Sequence, residues 1–513
     1  MTTRPTNLLR STLIVMSGYL ASKAVGLVRE PLIARAFGAS TDLDAYYAAF
    51  NIPDLLFTLI AGGALATAFI PVFAETLTQR GQAEAWRIAS AVINLVVLLT
   101  FALAIIVAAF APQLIACCLA PGFAPSQQAL TVDLMRLILV STVVFALAGV
   151  LMGILNAQQH FVSPAFAPAL YNLGIIFGAL ALAPRFGVYG LAYGVIIGSL
   201  LHLASHIPPL LMQGVNYQRL LLWRDPTIRA IGRLMGPRIL ALGVIKVNTL
   251  VGTNLASRLG EGSVAALNLA WNVMQIPETI IATAIATAIF PTLSQYAAAG
   301  QRDQLRAAMS GALRAILLLS VPALIGLLLL GRPLVQVLYQ GGRCDAQCAD
   351  AIVWALQFYA LGLLGHSFLE IGARTFYAQK DTLTPLVAAV VAMFLNALLA
   401  IALINVFAHG GIALANAIAV SCEVGLLLWI AQRRLHGIGL TRLAALAVRA
   451  VVAAAAMVAV IWFVERAGVA SPIVLLASGG VASAIYFVVM GLLGVEEVRG
   501  VKNLFSRKDA MIF

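Results

Sequence analysis

The sequence predicts an all-α polytopic membrane protein of about fourteen transmembrane helices, arranged as two repeated six-helix lobes plus two extra C-terminal helices. Three observations carry this. The first is composition: the 513 residues are 62% hydrophobic and only 10% charged, far below the ~25% charge of soluble domains. The second is run length. Apolar stretches of about 20 residues, the length that crosses a bilayer as a helix, recur along the whole chain. They are continuous and do not alternate, which argues against a transmembrane barrel. The third is an internal repeat with a period of about 220 residues. A-T-A-F-I-P-V-F at Ala66–Phe73 returns as A-T-A-I-F-P-T-L at Ala286–Leu293, N-A-Q-Q-H-F-V-S-P at Asn156–Pro164 as Y-A-Q-K-D-T-L-T-P at Tyr377–Pro385, and G-V-Y-G-L-A-Y at Gly187–Tyr193 as G-G-I-A-L-A-N at Gly410–Asn416.

The repeat sets the expected organisation. An N-terminal six-helix lobe covers 8–212 and a second lobe covers 234–433. Two additional helices occupy 443–494, and a tail follows over 495–513. Six helices is an even number, so both copies enter the membrane from the same side. That predicts lobes related by an axis along the membrane normal, with a site expected between them. Internal prolines at Pro53 and Pro277 should bend the long second and eighth spans.

Loop charge sets the orientation. With both termini cytoplasmic, the inside segments hold most basic residues, including Arg80, Arg87, Arg219, Arg224, Arg302, Arg306, Arg433 and Arg434, as the positive-inside rule requires. Arg4 and Arg10 precede an apolar run much as in a signal peptide. That run contains Lys23 and has no convincing small-residue cleavage site, so it reads as a retained first helix.

Several function classes are excluded by pattern. The net charge of +12 is spread over loops and not gathered on one face, so nucleic acid is not the partner. No phosphate-cradling glycine loop of the Walker type is present, and no nucleophile motif, so the chain does not read as an enzyme. His202 and His206 share a helical face without an acid nearby, and read as a packed pair. Cys344 and Cys348 could hold a disulfide outside the cytoplasm, but their spacing also suits two unpaired thiols on one helical turn, the preferred reading.

The informative residues are charges at bilayer depth, where each is costly and faces a protein interior or a watery cavity. The densest stretch runs from Lys23 to Glu75 and holds Lys23, Arg29, Glu30, Arg35, Asp42, Asp44 and Asp54. Arg136, Lys246, Glu278, Glu370 and Glu423 lie in later spans; Arg136 can snorkel outward. Such a set suits an amphipathic or anionic substrate, or ion pairs that lock one conformation.

The block G-x-x-R-E, A-x-x-F-G-A, T-D-x-D-A-Y, N-I-P-D-L-L and A-F-I-P-V-F-A-E resembles the opening signature of the MurJ (MviN) family of lipid II flippases. P-A-F-A-P-A-L-Y-N at Pro164–Asn172, the run from Gly236 to Gln295 and F-Y-A-Q-K-D-T-L-T-P at Phe376–Pro385 extend the resemblance over essentially the whole chain. It implies a MATE-like fold of the MOP exporter superfamily, at the bacterial inner membrane. It also implies outward flipping of undecaprenyl-diphosphate-linked peptidoglycan precursor by alternating access, in support of cell-wall synthesis. In the family, cavity arginines engage the diphosphate, and a groove beside the last two helices takes the lipid tail. Arg29 matches a family arginine and Asp44 the aspartate of its motif. Lys23 stands at another arginine position, Lys246 at a usual glutamine and Asn272 at a further arginine. Phe57 and Thr58 replace an arginine pair, and Gly62 replaces a glutamate.

The resemblance makes Lys23, Arg29, Lys246 and Asn272 the expected substrate contacts. Glu30, Asp44, Glu278 and Glu370 are the expected gating or ion-pair residues. No metal and no cofactor are expected; coupling would be to the membrane potential or a monovalent cation. Expected partners are lipid II, membrane lipids and cell-wall synthesis proteins. The alternatives are a flippase of another lipid-linked glycan, a small-molecule or ion antiporter, and a non-transporting scaffold descended from a flippase.

Overall fold

The computed structural model describes residues 5–60, 63–467, 471–495 and 497–498. Gly62 and the tail from residue 499 on lie outside the described residues. The first contact unit comprises Met1–Ala265 with Gly341–Asp345. It contains α1 (Pro5–Phe37), α2 (Thr41–Ile60), α3 (Gly63–Arg80), α4 (Gln82–Leu114), α5 (Pro125–Ala157), α6 (Val162–Phe177), the short α7 (Ala183–Phe186), α8 (Tyr189–Met212) and α9 (Pro226–Ser257). The second comprises Ala266–Gln340 with Ala346–Phe513. It holds most of α10 (Ser263–Glu278), then α11 (Ala284–Ala298), α12 (Arg302–Leu338), α13 (Ala346–Leu361), α14 (Leu363–Ala378), α15 (Leu383–Phe407), α16 (His409–Arg434), α17 (Leu440–Arg466) and α18 (Pro472–Leu492). By sequence α9 opens the second repeat, yet it packs on α2 and α3.

Ten described helices are long and apolar enough to cross a membrane, and α13 with α14 form one further pair bent by 45°. Among the described residues that is fewer than the fourteen spans the sequence suggests. The Pro277 bend coincides with a wider π-helical turn at Thr279–Thr283, directly after α10. Such turns form where the regular hydrogen-bond ladder is interrupted.

Packing between helices relies on small residues, because lipid tails offer no hydrophobic incentive for helices to associate. Gly174 and Gly178 lie on one strip, and Gly190, Gly194 and Gly198 on the facing strip of α8. A Cβ on Gly174 would fall 2.3 Å from the Gly198 Cα, and one on Gly178 would fall 2.7 Å from the Gly194 Cα. The two backbones therefore touch only because these positions are glycine. Larger side chains fill the remaining core of this unit, with Trp86, Phe69, Phe73 and Ile88 fully buried.

The sequence repeat reappears as repeated turn geometry. α5 ends on Gln159 with φ 60°, and α14 ends on Lys380 with φ 62°. These are equivalent positions of the repeat, and neither is glycine. Left-handed backbone costs such residues about 1–2 kcal/mol. The turns recover this by closing the helix ends the same way: His160 N–H donates to the Leu155 carbonyl and Asp381 N–H to the Phe376 carbonyl. Gly187 (φ 58°) and Ala408 (φ 49°) form a second matched pair.

In the second turn Asp381 has a further task. Its Oδ1 accepts from the Leu383 and Thr384 amides at 3.1 and 2.9 Å, capping α15. Its Oδ2 accepts from the Thr384 hydroxyl and from Arg434. Burial alone would raise this carboxyl, but Thr384 and Arg434 outweigh it and hold it at about 2, below its ordinary 3.8. A depressed folded-state value means the ionised form is stabilised by folding. The contribution is therefore present above pH ~4 and lost as pH falls toward 2. Asp381→Asn is expected to lower stability by about 1–2 kcal/mol at pH 7. Thermal melts of purified protein should show a gap from wild type that is constant between pH 8 and 5 and shrinks below 4.

The preferred reading of Cys344 and Cys348 as unpaired thiols is corrected: the two are disulfide-bonded. α13 begins only at Ala346, so Cys344 lies in a turn and the spacing of a helical face does not apply to it. That turn is fixed by the Arg343 amide, which donates to the Arg35 carbonyl at 2.8 Å.

Candidate functional site

The charges of α1 are held by two neighbouring helices of the same unit. The Arg29 Nε donates to Glu30 Oε1 at 3.0 Å, and Nη2 reaches the same oxygen. Nη1 donates to Asn172 Oδ1 on α6 at 2.8 Å. The second Glu30 oxygen accepts from the Tyr47 hydroxyl on α2 at 2.8 Å. Asn172 is oriented in turn by its Nδ2, which donates to the Ser22 carbonyl at 3.2 Å. A guanidinium has five N–H donors, so three are engaged and two remain. The Arg29 side chain is 25% exposed and that of Glu30 9%. The pair thus buries its carboxylate and leaves part of its cation accessible.

Lys23 lies two turns earlier on α1, about 9 Å along the axis. It is exposed, and its ammonium stands 5.7 Å from the Tyr19 ring centre. It has no ion pair among the described residues.

A second polar seam joins α2 to α9. Lys246 forms an ion pair with Asp54, and one helix turn earlier on α2 the Asn51 side-chain oxygen accepts from the Thr253 hydroxyl at 3.4 Å. The buried Tyr171 lies within electrostatic reach of Arg29, Glu30 and Asp54. Aromatic rings complete the wall, with Phe145 packed on Tyr171 at 4.9 Å, on Phe57 at 5.4 Å and on His202 at 5.2 Å. His202 stacks on His206, whose Nδ1 is 2.6 Å from the Ser163 hydroxyl, so the two histidines pack as a pair.

Asp44 plays a different part. It is buried, and its two oxygens accept from the Gly262 and Ala265 amides, each at 2.7 Å. These amides open α10, so Asp44 is a helix cap supplied from far away in sequence. Gly262 has φ +79°, and a Cβ there would meet the Ala39 carbonyl oxygen at 2.4 Å. Only glycine allows the approach.

The residues expected in the second half are placed separately. Glu370 bonds Arg374 one turn along α14 at 2.8 Å. Glu278 ends α10, and Asn272 is half-buried on the same helix. No group of three or more metal-ligating side chains occurs among the described residues.

A family model described as lipid II flippase MurJ matches residues 33–474. The chain belongs to the MurJ family. Among curated MurJ relatives, the lipid II flippase of Burkholderia cenocepacia is 33% identical over 440 residues, covering 83% of this chain and 84% of the relative. A probable lipid II flippase of Rhizobium tropici is 28% identical, covering 98% and 97%. Among solved structures, a MurJ in an inward closed conformation matches with a TM-score of 0.83 at 24% identity, covering 95% of this chain and all of that one. An inward-facing MATE multidrug transporter of the MOP superfamily follows at 0.71 and 16%. The repeated MATE-like architecture expected from the sequence is thus the architecture observed.

Of the four MurJ substrate contacts expected here, Arg29, Lys23 and Lys246 lie in the first contact unit. They share no partner there: Arg29 is held by Glu30 and Asn172, and Lys246 by Asp54. Sequence reasoning missed Tyr47, Asn172 and the Lys246–Asp54 pairing. Asn172 closes the P-A-F-A-P-A-L-Y-N block and Tyr47 closes T-D-x-D-A-Y-Y, so both stood beside recognised motifs without a reason to be singled out.

Proposed function

We propose that this protein flips lipid II, the undecaprenyl-diphosphate-linked peptidoglycan precursor, from the inner to the outer leaflet of the bacterial inner membrane by alternating access. Both termini are cytoplasmic in this reading, and cell-wall synthesis enzymes consume the product. The protein performs no bond chemistry, and transport draws on the membrane potential or a monovalent cation. One observation carries the assignment to an anionic substrate: α1 presents Lys23 without a counter-ion and Arg29 with two unused donors on a partly exposed fork. A diphosphate at membrane depth needs such donors, because an unpaired anion there costs several kcal/mol.

A second substrate, another polyprenyl-diphosphate-linked glycan, is favoured by Phe57. Its packing on Phe145 gives an apolar wall where the family signature places charge.

Lys23 separates transport from folding cleanly, since no carboxylate depends on it. A charge-assisted hydrogen bond is worth roughly 1.5–3 kcal/mol. Lys23→Ala is therefore expected to slow flipping about ten-fold or more with unchanged folded yield, and Lys23→Arg to restore it. Complementation of a flippase-depleted strain, with lipid II translocation in vesicles, measures both. Full activity of Lys23→Ala would remove the anion-contact role. Failure of the wild-type chain to complement, with transport of a different lipid-linked glycan, would select the second substrate.

A further inference from the structure

The two repeats treat the same helix face differently. α4 and α12 start at Gln82 and Arg302 and are equivalent in the repeat. Val97, Leu98 and Phe101 of α4 therefore correspond to Leu317, Leu318 and Val321 of α12. The α12 residues are buried in a cluster with Met457, Ile461 and Tyr486 of α17 and α18. No such helix pair follows in the first unit, and Leu98 and Phe101 remain 53% and 52% exposed.

That face lines a groove of about 790 Å³ formed by α4, α5, α8 and the segment after α8. Along α4 it runs from Trp86 to Phe101, about 22 Å, deeper than one leaflet of a hydrocarbon core about 30 Å thick. One wall is an extended segment pinned to α4. The Gln82 amide donates to the Gln213 carbonyl at 2.9 Å. The Gln218 amide donates to Ser90 Oγ at 3.1 Å. Asn94 Nδ2 donates to the Leu220 carbonyl at 2.8 Å, and the Tyr217 hydroxyl donates to Asn94 Oδ1 at 2.6 Å. These bonds explain three polar residues on an otherwise apolar helix: they satisfy non-helical backbone that would be costly in lipid. They also fix the wall in place.

Arg219 projects from this wall and lines the groove. The acidic groups of the flanking segments, Glu84 and Asp225, are both taken by Arg87. Arg219 has no ion pair among the described residues. Next to it Arg224 stacks on Trp223 at 4.6 Å, an arrangement suited to the headgroup level of a membrane.

We infer that this groove is a binding site for an anionic glycerophospholipid, with one acyl chain along α4 and the headgroup phosphate on Arg219. Charge complementarity selects this occupant over a partner helix. The groove is long and narrow, its cation is unpaired, and its walls are apolar below that cation. The walls alone give no preference, because bilayer lipid is equally apolar; selectivity rests on Arg219. The site stands apart from the polar cluster on α1, and the inference does not depend on the transported substrate.

The test uses purified full-length protein in detergent, titrated with phosphatidylglycerol or phosphatidylcholine of identical chains and read by native mass spectrometry. Wild type should retain phosphatidylglycerol about five-fold better, the effect of one basic residue at a membrane surface. Arg219→Gln should remove the preference, and the groove-filling Leu151→Trp should reduce retention of both lipids. Equal retention by wild type and both variants overturns the proposal. Should Leu151→Trp fail to fold, a photo-reactive side chain at position 98 in the intact membrane decides. A phospholipid adduct supports the site, and an adduct with a polypeptide overturns it. Competition by undecaprenyl diphosphate for the phosphatidylglycerol retained would also overturn it, by assigning the groove to the transported lipid.

Discussion

Arg29→Ala is expected to abolish lipid II transport and to destabilise the protein together. Glu30 is buried, and its carboxylate is held by Arg29 and the Tyr47 hydroxyl. Removing the guanidinium leaves a buried negative charge with one neutral donor, a change that costs about 3–5 kcal/mol in comparable buried pairs. Asn172 loses its partner too, and with it part of the α1–α6 contact. A loss of function in this single variant is therefore ambiguous. The double variant Arg29→Ala/Glu30→Gln resolves it, because the glutamine can still accept from Tyr47 and carries no charge. It should recover most of the folded yield, read by size-exclusion profile and thermal melt, and should remain at least ten-fold impaired in vesicle flipping. Arg29→Lys keeps the charge but not the fork that reaches Glu30 and Asn172 at once. It should fold and transport at an intermediate rate. A double variant that folds and transports like wild type would show that Arg29 serves only to neutralise Glu30.

The same residues show what could be read from the chain before its structure. Helices, repeat and membrane class follow from run length and composition, which are local properties. The repeat even reaches turn geometry, as Gln159 and Lys380 demonstrate. The charge pairing does not follow, because it depends on which faces of separate helices meet. Adjacent residues on a helix point about 100° apart and ordinarily do not face each other, so Arg29 and Glu30 do not read as a pair. Asn172 and Tyr47, from two other helices, hold that pairing in place. Lys246 was legible as an unusual charge deep in a span, but its partner Asp54 lies 192 residues away. The polar stripe Gln82, Ser90 and Asn94 had no sequence rationale at all until the segment it pins was seen.

Asp44 is the sharpest case, since the sequence marks it as a gate residue and the structure makes it a cap. Cap rules look for a side chain within three residues of a helix start, and here the acceptor comes from 218 residues earlier. Asp44 is 2% exposed, so Asp44→Ala leaves the Gly262 and Ala265 amides buried without acceptors. Each such orphan costs about 1–3 kcal/mol, and the carboxylate's favourable placement at a helix N-terminus is lost as well. The expected loss is about 3–5 kcal/mol, enough to lower folded yield severely. Asp44→Asn keeps one acceptor but turns an NH2 group toward an N–H donor, so it should fall between. Asp42→Ala, two residues away and without this contact, should melt close to wild type. A pure gating role makes the opposite demand: Asp44→Ala would melt like wild type and fail only in transport. The melting temperatures of these three variants therefore decide whether Asp44 acts on transport directly or by holding the start of α10.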